Sequence, residues 1–533
     1  MKFVHKFMMQ PWFYVIIAAI GVTLKFYRID YQYFWFDEMA AVEHTSGLSG
    51  FQTYDAIPKN EILPISYYHN LFHLNDRNLS IESQLHGLSK MTNLNPLLSA
   101  LLVFWHRLAG DDTIHYRLFN VILFLMCLPF LFFVTRDLFK SDLSGWIAVS
   151  IFSVSPFFHY YAHEATYNTL MAFLLILNNF LFVKAINKGK YKWWIGYALS
   201  GILALYASLL SGLLIFGHMV YVLALNRKLW KVFGLSVLAV FLGYLPWLIS
   251  IFNNYKEINN ALAWHLIFDR NQNFLTLLLG QFSMMARTFV TLNYKWLYFI
   301  ILHRPEGNYP DLAANLFILV VLTGSIVFAL KKAPKKAFWL MVFMVLPQLL
   351  FFLISDLIRG AGSTYVHRYL VTGIIGMLFF LVFMLGHKIS LGKPTYFAIY
   401  SVLVVLGLTS IFLMSKDRCW DIPSGMCQDN IEDARMFSGE EKTLLITGCY
   451  LPIGTGIGGF MAIMNECSSD SIDIMQVLPD VTDIKDKIPR DRYSGIYFAY
   501  ADESLINNLK TQLGVQMDSL EIERYSPVWK INL

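Results

Sequence analysis

PLLSALLVFWHRLA, residues 96–109, is apolar until its last turn and then carries His106 and Arg107. As a helix its fourteen residues rise about 21 Å, against a hydrocarbon core about 30 Å thick. Too short to span and charged at one end, it is predicted to lie at the membrane interface. It falls between the first and second long apolar runs, so its placement fixes the parity of every later crossing.

The surrounding chain justifies a membrane. Of 533 residues 56% are hydrophobic and only 15% charged, with 44 Phe, 29 Tyr and 13 Trp. Long apolar runs recur from Trp12 to about Met414, which excludes a soluble globular protein of this size. The expected spans are roughly 12–27, 116–134, 144–161, 167–185, 193–208, 211–225, 232–252, 312–330, 336–354, 369–387 and 395–414, about eleven passes. The first run follows Lys2 and Lys6 but leads to Lys25, Tyr27 and Arg28 rather than to a small-residue cleavage site, so it reads as an uncleaved helix.

With 96–109 lying flat, Arg136/Lys140, Lys184/Lys188/Lys190/Lys192, Arg227/Lys228/Lys231, Lys331/Lys332/Lys335/Lys336 and Lys388/Lys393 all fall on one side. The positive-inside bias makes that side cytoplasmic. The N-terminus is then inside, and the long loop 28–115, Glu164, Arg359, His367, Arg368 and everything after Met414 are outside. The net charge of +5 resides in short loops and is no sign of nucleic-acid binding. Residues 273–303 remain open as a hairpin or a further interfacial piece, with an even number of crossings required.

From Ser415 the composition becomes that of a soluble domain. TLLIT (443–447), GIYFAYA (495–501) and PVWKINL (527–533) read as strands, with DESLINNLKTQL (502–513) as a helix, so a small extracytoplasmic α/β domain is expected over 415–533 after a membrane domain over 1–414. Cys419, Cys427, Cys449 and Cys467 lie here and suggest two disulfides in an oxidising compartment. Nearest neighbours would pair Cys419 with Cys427 and Cys449 with Cys467, one of three connectivities. GTGIGG (454–459) fits a dinucleotide fingerprint only formally; CYLP separates it from the preceding strand, and it reads as a flexible loop.

Acids and bases from separated segments therefore collect on the outer face, beginning with Asp37 and Glu38 in YFWFDEMAAVEH (33–44). Carboxylates at a membrane boundary are costly enough to imply function or a partner. The ordered set FDE after the first helix, NPLLSALLVFWHRLAGDDTIHYRL (95–118), SPFFHYYAHEATYNTLMAF (155–173), LPW (245–247) and HRYL (367–370) resembles the GT-C membrane glycosyltransferases. Protein O-mannosyltransferases and the bacterial transferases that add aminoarabinose to lipid A are the nearest of these. The resemblance is strongest over 10–260 and does not reach the C-terminal domain.

That resemblance implies a GT-C-like helical membrane fold and transfer of a sugar, with inversion, from a polyprenyl-phosphate carrier to an acceptor hydroxyl on a protein, lipid or glycan. It places Asp37 as the base, Glu38 beside it and Glu164 as the second-loop acid. It also places His86 and Lys90 where relatives carry a His or Lys ahead of the proline-led helix. A bacterial inner membrane is the implied setting. No cofactor is implied, and DE plus a distant Glu is not a metal-ligand set by spacing. The chain departs from relatives in having one proline, Pro96, in NLNPLL, and in placing Thr166 two residues after the acid where many have arginine.

The chemistry makes separate sense of these residues. A hydroxyl nucleophile needs a carboxylate to take its proton, and a lipid-phosphate leaving group needs fixed cations. Arg359, His367 and Arg368 flank one outer loop, RGAGSTYVHR, and Arg117 opens the second span; these are the phosphate-binding candidates, with Lys256 and Arg270 behind them. Trp35 and Tyr167 are candidates for stacking on or bonding to a sugar. Each has a structural alternative: Asp37 and Glu38 as helix caps, Glu164 paired with His163, and Arg117, His367 and Arg368 as interfacial anchors. Two other function classes compete. A lipid or glycan transporter would show repeats and charges near the midplane, and a silent scaffold would bind lipid-linked sugar through the C-terminal domain.

Overall fold

The computed structural model describes residues 6–46, 55–72, 80–90, 95–256, 258, 273–292, 309–420, 426–448, 456–468, 470–478, 481–482, 484–499, 503–513, 517–519 and 528–531. Along the chain run α1 (Pro11–Leu24), α2 (Phe36–Thr45), β1 (Ile62–Pro64), α3 (Ile65–Phe72), α4 (Ile81–Lys90), α5 (Pro96–Ala109) and α6 (Thr113–Phe139). Next come α7 (Asp142–Val154), α8 (Pro156–Ala162), α9 (Asn168–Lys188), α10 (Tyr191–Ala207), α11 (Gly212–Leu225), α12 (Trp230–Asn253) and α13 (Phe274–Arg287). Then follow α14 (Tyr309–Lys332), α15 (Lys335–Arg359), α16 (Val371–Ser390), α17 (Pro394–Met414) and α18 (Met426–Ser438). The chain closes with β2 (Thr443–Thr447), α19 (Gly456–Glu466), β3 (Ile472–Gln476), β4 (Gly495–Ala499), α20 (Glu503–Leu513), β5 (Met517–Ser519) and β6 (Val528–Ile531).

This is a helical multi-pass membrane protein with a small sheet. Every expected span is helical, and among the described residues seven helices are long and apolar enough to cross a bilayer: α6, α9, α12, α14, α15, α16 and α17, with α12 and α16 extended by the short 3-10 turns that precede them. The other four expected spans are shorter. The run at 144–161 breaks at Ser155, whose extended backbone lets Pro156 open α8 at the first helical position. Ser208 likewise breaks α10 from α11, with a single 3-10 turn between. At 14 residues α5 is not among the long helices, as its length predicts. Residues 293–308 lie outside the described residues, so the 273–303 question is met only by α13.

The chain divides into two compact units, one of Met1–Asp30, Thr92–Leu98 and Arg117–Asp421, the other of Tyr31–Met91, Ser99–Tyr116 and Ile422–Leu533. In the first, α16 is the central helix, buried almost from end to end and packed on α7, α9, α14, α15 and α17. Small residues let backbones approach. A side chain at Gly21 would strike the carbonyl of Ser153, where α1 crosses α7, and one at Gly217 would overlap the carbonyl of Phe343, where α11 crosses α15. Left-handed glycines at Gly189 (φ 65°) and Gly360 (φ 63°) terminate α9 and α15.

The second unit is built on a six-stranded sheet of order β1-β3-β2-β4-β6-β5. β3, β2 and β4 are parallel and buried along their whole lengths, as strands covered on both faces must be; β1, β6 and β5 run antiparallel. Leu444, Ile446, Ile496, Phe498, Leu505 and Leu509 centre the core. The strands expected at 443–447, 495–501 and 527–533, and the helix at 502–513, are β2, β4, β6 and α20. β1, pairing Ile62 with Met475, comes from the loop after α1. That loop and the C-terminal segment thus share one sheet.

Two expectations are corrected. Cys419 and Cys427 are disulfide-bonded, but Cys467 is a buried free thiol, which rules out its pairing with Cys449; Cys449 itself lies outside the described residues. Burial pushes the Cys467 thiol up to about 12, so it is inert at neutral pH. Within GTGIGG, residues 456–459 are not a loop but the first turn of α19, and Gly458 brings that helix into van der Waals contact with Phe36 of α2. Gly454 and Thr455 lie outside the described residues.

Candidate functional site

In the first unit the break at Ser155–Pro156 creates the site. It turns the chain into the short helix α8 and a tight loop, so that residues 156–166 are all buried although many are polar. Buried polar groups must be bonded, and the bonding pattern is specific. Glu164 is 3% exposed; its Oε1 accepts from the Tyr160 hydroxyl at 3.0 Å and its Oε2 from the Thr166 hydroxyl at 2.8 Å. Asn168 Nδ2 donates to Thr166 Oγ1 at 2.9 Å, and Asn120 Nδ2 of α6 donates to the Thr166 carbonyl at 2.9 Å and to the Glu164 carbonyl. The acid is therefore fixed in place by its own loop and by α6.

The next tyrosine carries the site to a distant segment. Tyr161 Oη lies 2.8 Å from Nε2 of His367, which is 4% exposed in the 3-10 turn His367–Leu370. Consecutive tyrosines thus bind Glu164 and His367, two residues singled out from the sequence and separated by 203 positions. Tyr167, half-buried, precedes α9 as its N-cap.

The cation candidates divide. Arg117, 1% exposed, donates from Nη1 to the carbonyl of Ile29 at 3.1 Å and ties the start of α6 to the chain leaving α1. Arg368 is half-buried, its guanidinium 5.9 Å from the ring centroid of Tyr369. Arg359 is exposed at the last position of α15, where a cation suits the helix dipole. Lys256 is exposed after α12, and Arg270 lies outside the described residues.

A second buried cluster was not foreseen. Lys25, fully buried, donates from Nζ to the Ser153 carbonyl at 2.9 Å and lies 3.3 Å from His159 Nδ1 and 4.9 Å from the face of Phe124. His159 packs on His163 at 4.3 Å between centroids, and Trp420 stacks on His163 at 5.5 Å and 22°. The ring of His163 faces the backbone of Leu24 and Lys25 and does not bond Glu164, whose oxygens are taken by Tyr160 and Thr166. Burial, with Lys25 and Arg117 adding to it, pushes the His163 imidazole down to about 3 and keeps it neutral. The two histidines stand four apart in HYYAHE, a helix-face spacing visible in the sequence.

The second unit holds the acid pair. Trp35, 9% exposed and extended (φ −91°, ψ 176°), is the N-cap of α2, with its ring edge-on to Phe36 at 4.7 Å. Glu38 at the third helical position turns back, Oε2 accepting from the Trp35 backbone N–H at 3.4 Å; it is 1% exposed and acts as a cap. Asp37 shares that first turn but is half-buried. Asn430 donates to the Tyr33 hydroxyl at 3.1 Å and anchors the aromatic stretch to α18. His86 is exposed on α4; Lys90 ends that helix, and its side chain lies outside the described residues. One turn beyond the pair, Glu43 is 4% exposed with its Oε1 unbonded, and burial pushes its carboxyl up to about 8.

With this geometry in hand, the likeness to known proteins has a definite extent. Residues 93–249 match the family model described as dolichyl-phosphate-mannose-protein mannosyltransferase, a stretch that includes Arg117, Glu164 and Tyr167 but not Asp37. No curated protein matches the chain by sequence. Crystal structures of ArnT from Cupriavidus metallidurans, apo and bound to undecaprenyl phosphate, align over 97% of this chain and 97% of theirs, at 12% identity and TM-scores of 0.53 and 0.52. An Archaeoglobus fulgidus oligosaccharyltransferase aligns over 92% of this chain and 69% of its own, at 9% identity and a TM-score of 0.46. At such identity the ArnT alignments speak for the fold, which is that of the GT-C membrane glycosyltransferases.

Proposed function

We propose that this chain, having that fold, is a glycosyltransferase that moves a sugar from a polyprenyl-phosphate carrier to an acceptor hydroxyl with inversion. The observation that carries the reading is Glu164. A carboxylate held from two sides by Tyr160 and Thr166, 3% exposed, lies inside the segment matched by the mannosyltransferase model. Asp37 is the base: half-buried at the start of α2, it retains access to an incoming hydroxyl, while Glu38 is committed to the cap. Glu164 orients the acceptor or donor sugar through its fixed lone pairs. Arg368, His367 and Arg117 are the candidates for the leaving phosphate, the first with the most exposure.

The distribution of basic loops favours chemistry on the outer face of a bacterial inner membrane, with the N-terminus cytoplasmic. The ArnT structure bound to undecaprenyl phosphate supports a lipid phosphate of that class as the carrier. The acceptor is a protein, lipid or glycan.

The test is sugar transfer in membranes from cells expressing wild type, Asp37→Asn, Glu164→Gln and Arg368→Ala at equal protein level, with lipid and protein glycans compared by mass spectrometry. Loss of one sugar modification in Asp37→Asn supports the reading and identifies the acceptor. Unchanged glycans in all three overturn it.

A further inference from the structure

A cavity of about 280 Å³ opens in the second unit, between α2, α3, α19 and the turn before α6. Its floor is apolar and deeply buried: Phe34, Met39, Val42, Met461 and Met464 are each under 5% exposed. Its rim is polar and open, with Asp111, Asp112, Thr113, His69 and Asn465 half-buried or exposed. His69 Nε2 lies 2.9 Å from the Met464 carbonyl, which makes it the ring's N–H donor and pins one wall to the floor. Its other nitrogen is then an acceptor. With the carboxylates of Asp111 and Asp112, the latter 3.7 Å from His115 Nδ1, the rim is acidic and rich in hydrogen-bond acceptors.

These features select a ligand. The volume is at the lower end of small-molecule pockets, about 300–1,000 Å³, too small for a peptide or a lipid chain. An acceptor-rich, acidic rim repels phosphate and calls for a molecule rich in donors. An apolar floor beneath it suits the C–H face of a sugar ring. The face of α2 is also informative. At 3.6 residues per turn Met39 and Val42 lie about 200° and 140° round the helix from Asp37. The cavity therefore opens on the side of α2 turned away from the proposed base.

We infer that this cavity is a carbohydrate subsite that grips a donor-rich sugar, neutral or amino-bearing, on the acceptor at a residue other than the one being modified. Its assignment to the acceptor rests on the transferase reading; its binding of a sugar does not. The loop after α1 and the C-terminal helix α19 jointly build it, which gives the C-terminal segment a part in acceptor choice.

The test is saturation-transfer NMR on the full-length protein in detergent, with methyl glucoside, its 2-amino analogue and glucose 6-phosphate as probes. The neutral probe, the amino probe or both bind, and glucose 6-phosphate does not; a tighter amino probe assigns the recognition to the carboxylates, equal binding to the hydroxyls. Asp112→Asn and Asn465→Ala, on the exposed rim, weaken binding about tenfold or more, as does Met461→Trp, which fills the cavity. Asp37→Asn leaves probe binding unchanged. Failure of both phosphate-free probes to bind, preference for glucose 6-phosphate, or indifference to the rim variants overturns the subsite. In transfer assays the rim variants raise acceptor KM at unchanged kcat; an unchanged KM with weakened probe binding overturns the acceptor assignment alone. A wild type that binds probe but transfers nothing sinks the transferase reading and leaves the subsite standing.

Discussion

Thr166 donates its hydroxyl to Glu164 Oε2 at 2.8 Å, from the position where the enzymes this chain resembles often carry arginine. The acid is held by hydroxyls instead of being neutralised by its neighbour, and Asn168 and Asn120 keep that threonine turned inward. Whatever cation serves a leaving phosphate here must then come from elsewhere in the chain.

Removing either hydroxyl is expected to impair transfer without unfolding the protein. A hydrogen bond to a charged group is worth about 1.5–3 kcal/mol, so Thr166→Val and Tyr160→Phe should each slow transfer roughly ten- to a hundredfold. Measured rates in membranes at matched protein level check this. Rates within twofold of wild type would mean that Glu164 is a structural acid.

In the proposed reading the acid pair divides into a chemical and a structural member. Asp37→Asn is expected to abolish transfer with an unchanged melting temperature. Glu38→Gln keeps a weaker version of its bond to the Trp35 N–H and should cost about 1 kcal/mol of stability, with activity per folded molecule near wild type. Paired thermal melts and transfer assays separate the two, and a reversed pattern would exchange the roles.

Much of the helical architecture was legible in the sequence because apolar runs report directly on helices. PLLSALLVFWHRLA forms a single helix, Pro96–Ala109, over the residues read from the sequence. The internal breaks were less legible. Pro156 interrupts the run at 144–161, which stays hydrophobic straight through, so composition hides it, whereas the break at Ser208 falls where the expected spans 193–208 and 211–225 already part. β1 was invisible, since a three-residue edge strand such as Ile62–Pro64 has no periodicity and exists through its pairing with β3. Among the candidate residues Glu164 and His367 were singled out by residue type, but Tyr160 and Tyr161, which bond to them, were not. Lys25 was given no role beyond arguing against a cleavage site, yet it is buried against Ser153 and His159 of a distant segment.

The helix crossings make a sharper stability prediction than any surface charge. At Gly217 even a methyl group would overlap the Phe343 carbonyl on α15, and a backbone atom cannot swing aside. Gly217→Ala is expected to lower the melting temperature in detergent by several degrees or to abolish expression, a cost of about 1–3 kcal/mol for overpacking. At Gly234 nothing lies within 4 Å of an added side chain, so Gly234→Ala serves as the control and should be neutral or slightly stabilising. Equal behaviour of the two variants would contradict the α11–α15 crossing.

Glu43 supplies a pH dependence of known sign. Its carboxyl holds a proton up to about 8 in the folded chain against an ordinary value of 4.5, because burial disfavours the charged form. The folded state therefore binds more protons than the unfolded state between those values. Stability from this group is whole below 4.5, falls as the pH rises, and is lost once the pH passes about 8, a change on the order of a few kcal/mol. The glutamine isostere cannot ionise, so Glu43→Gln should be the more stable protein at pH 8 and close to wild type at pH 5. Melting curves of both proteins at the two pH values check the sign. Parallel slopes would show that Glu43 is ionised and partnered in the folded protein.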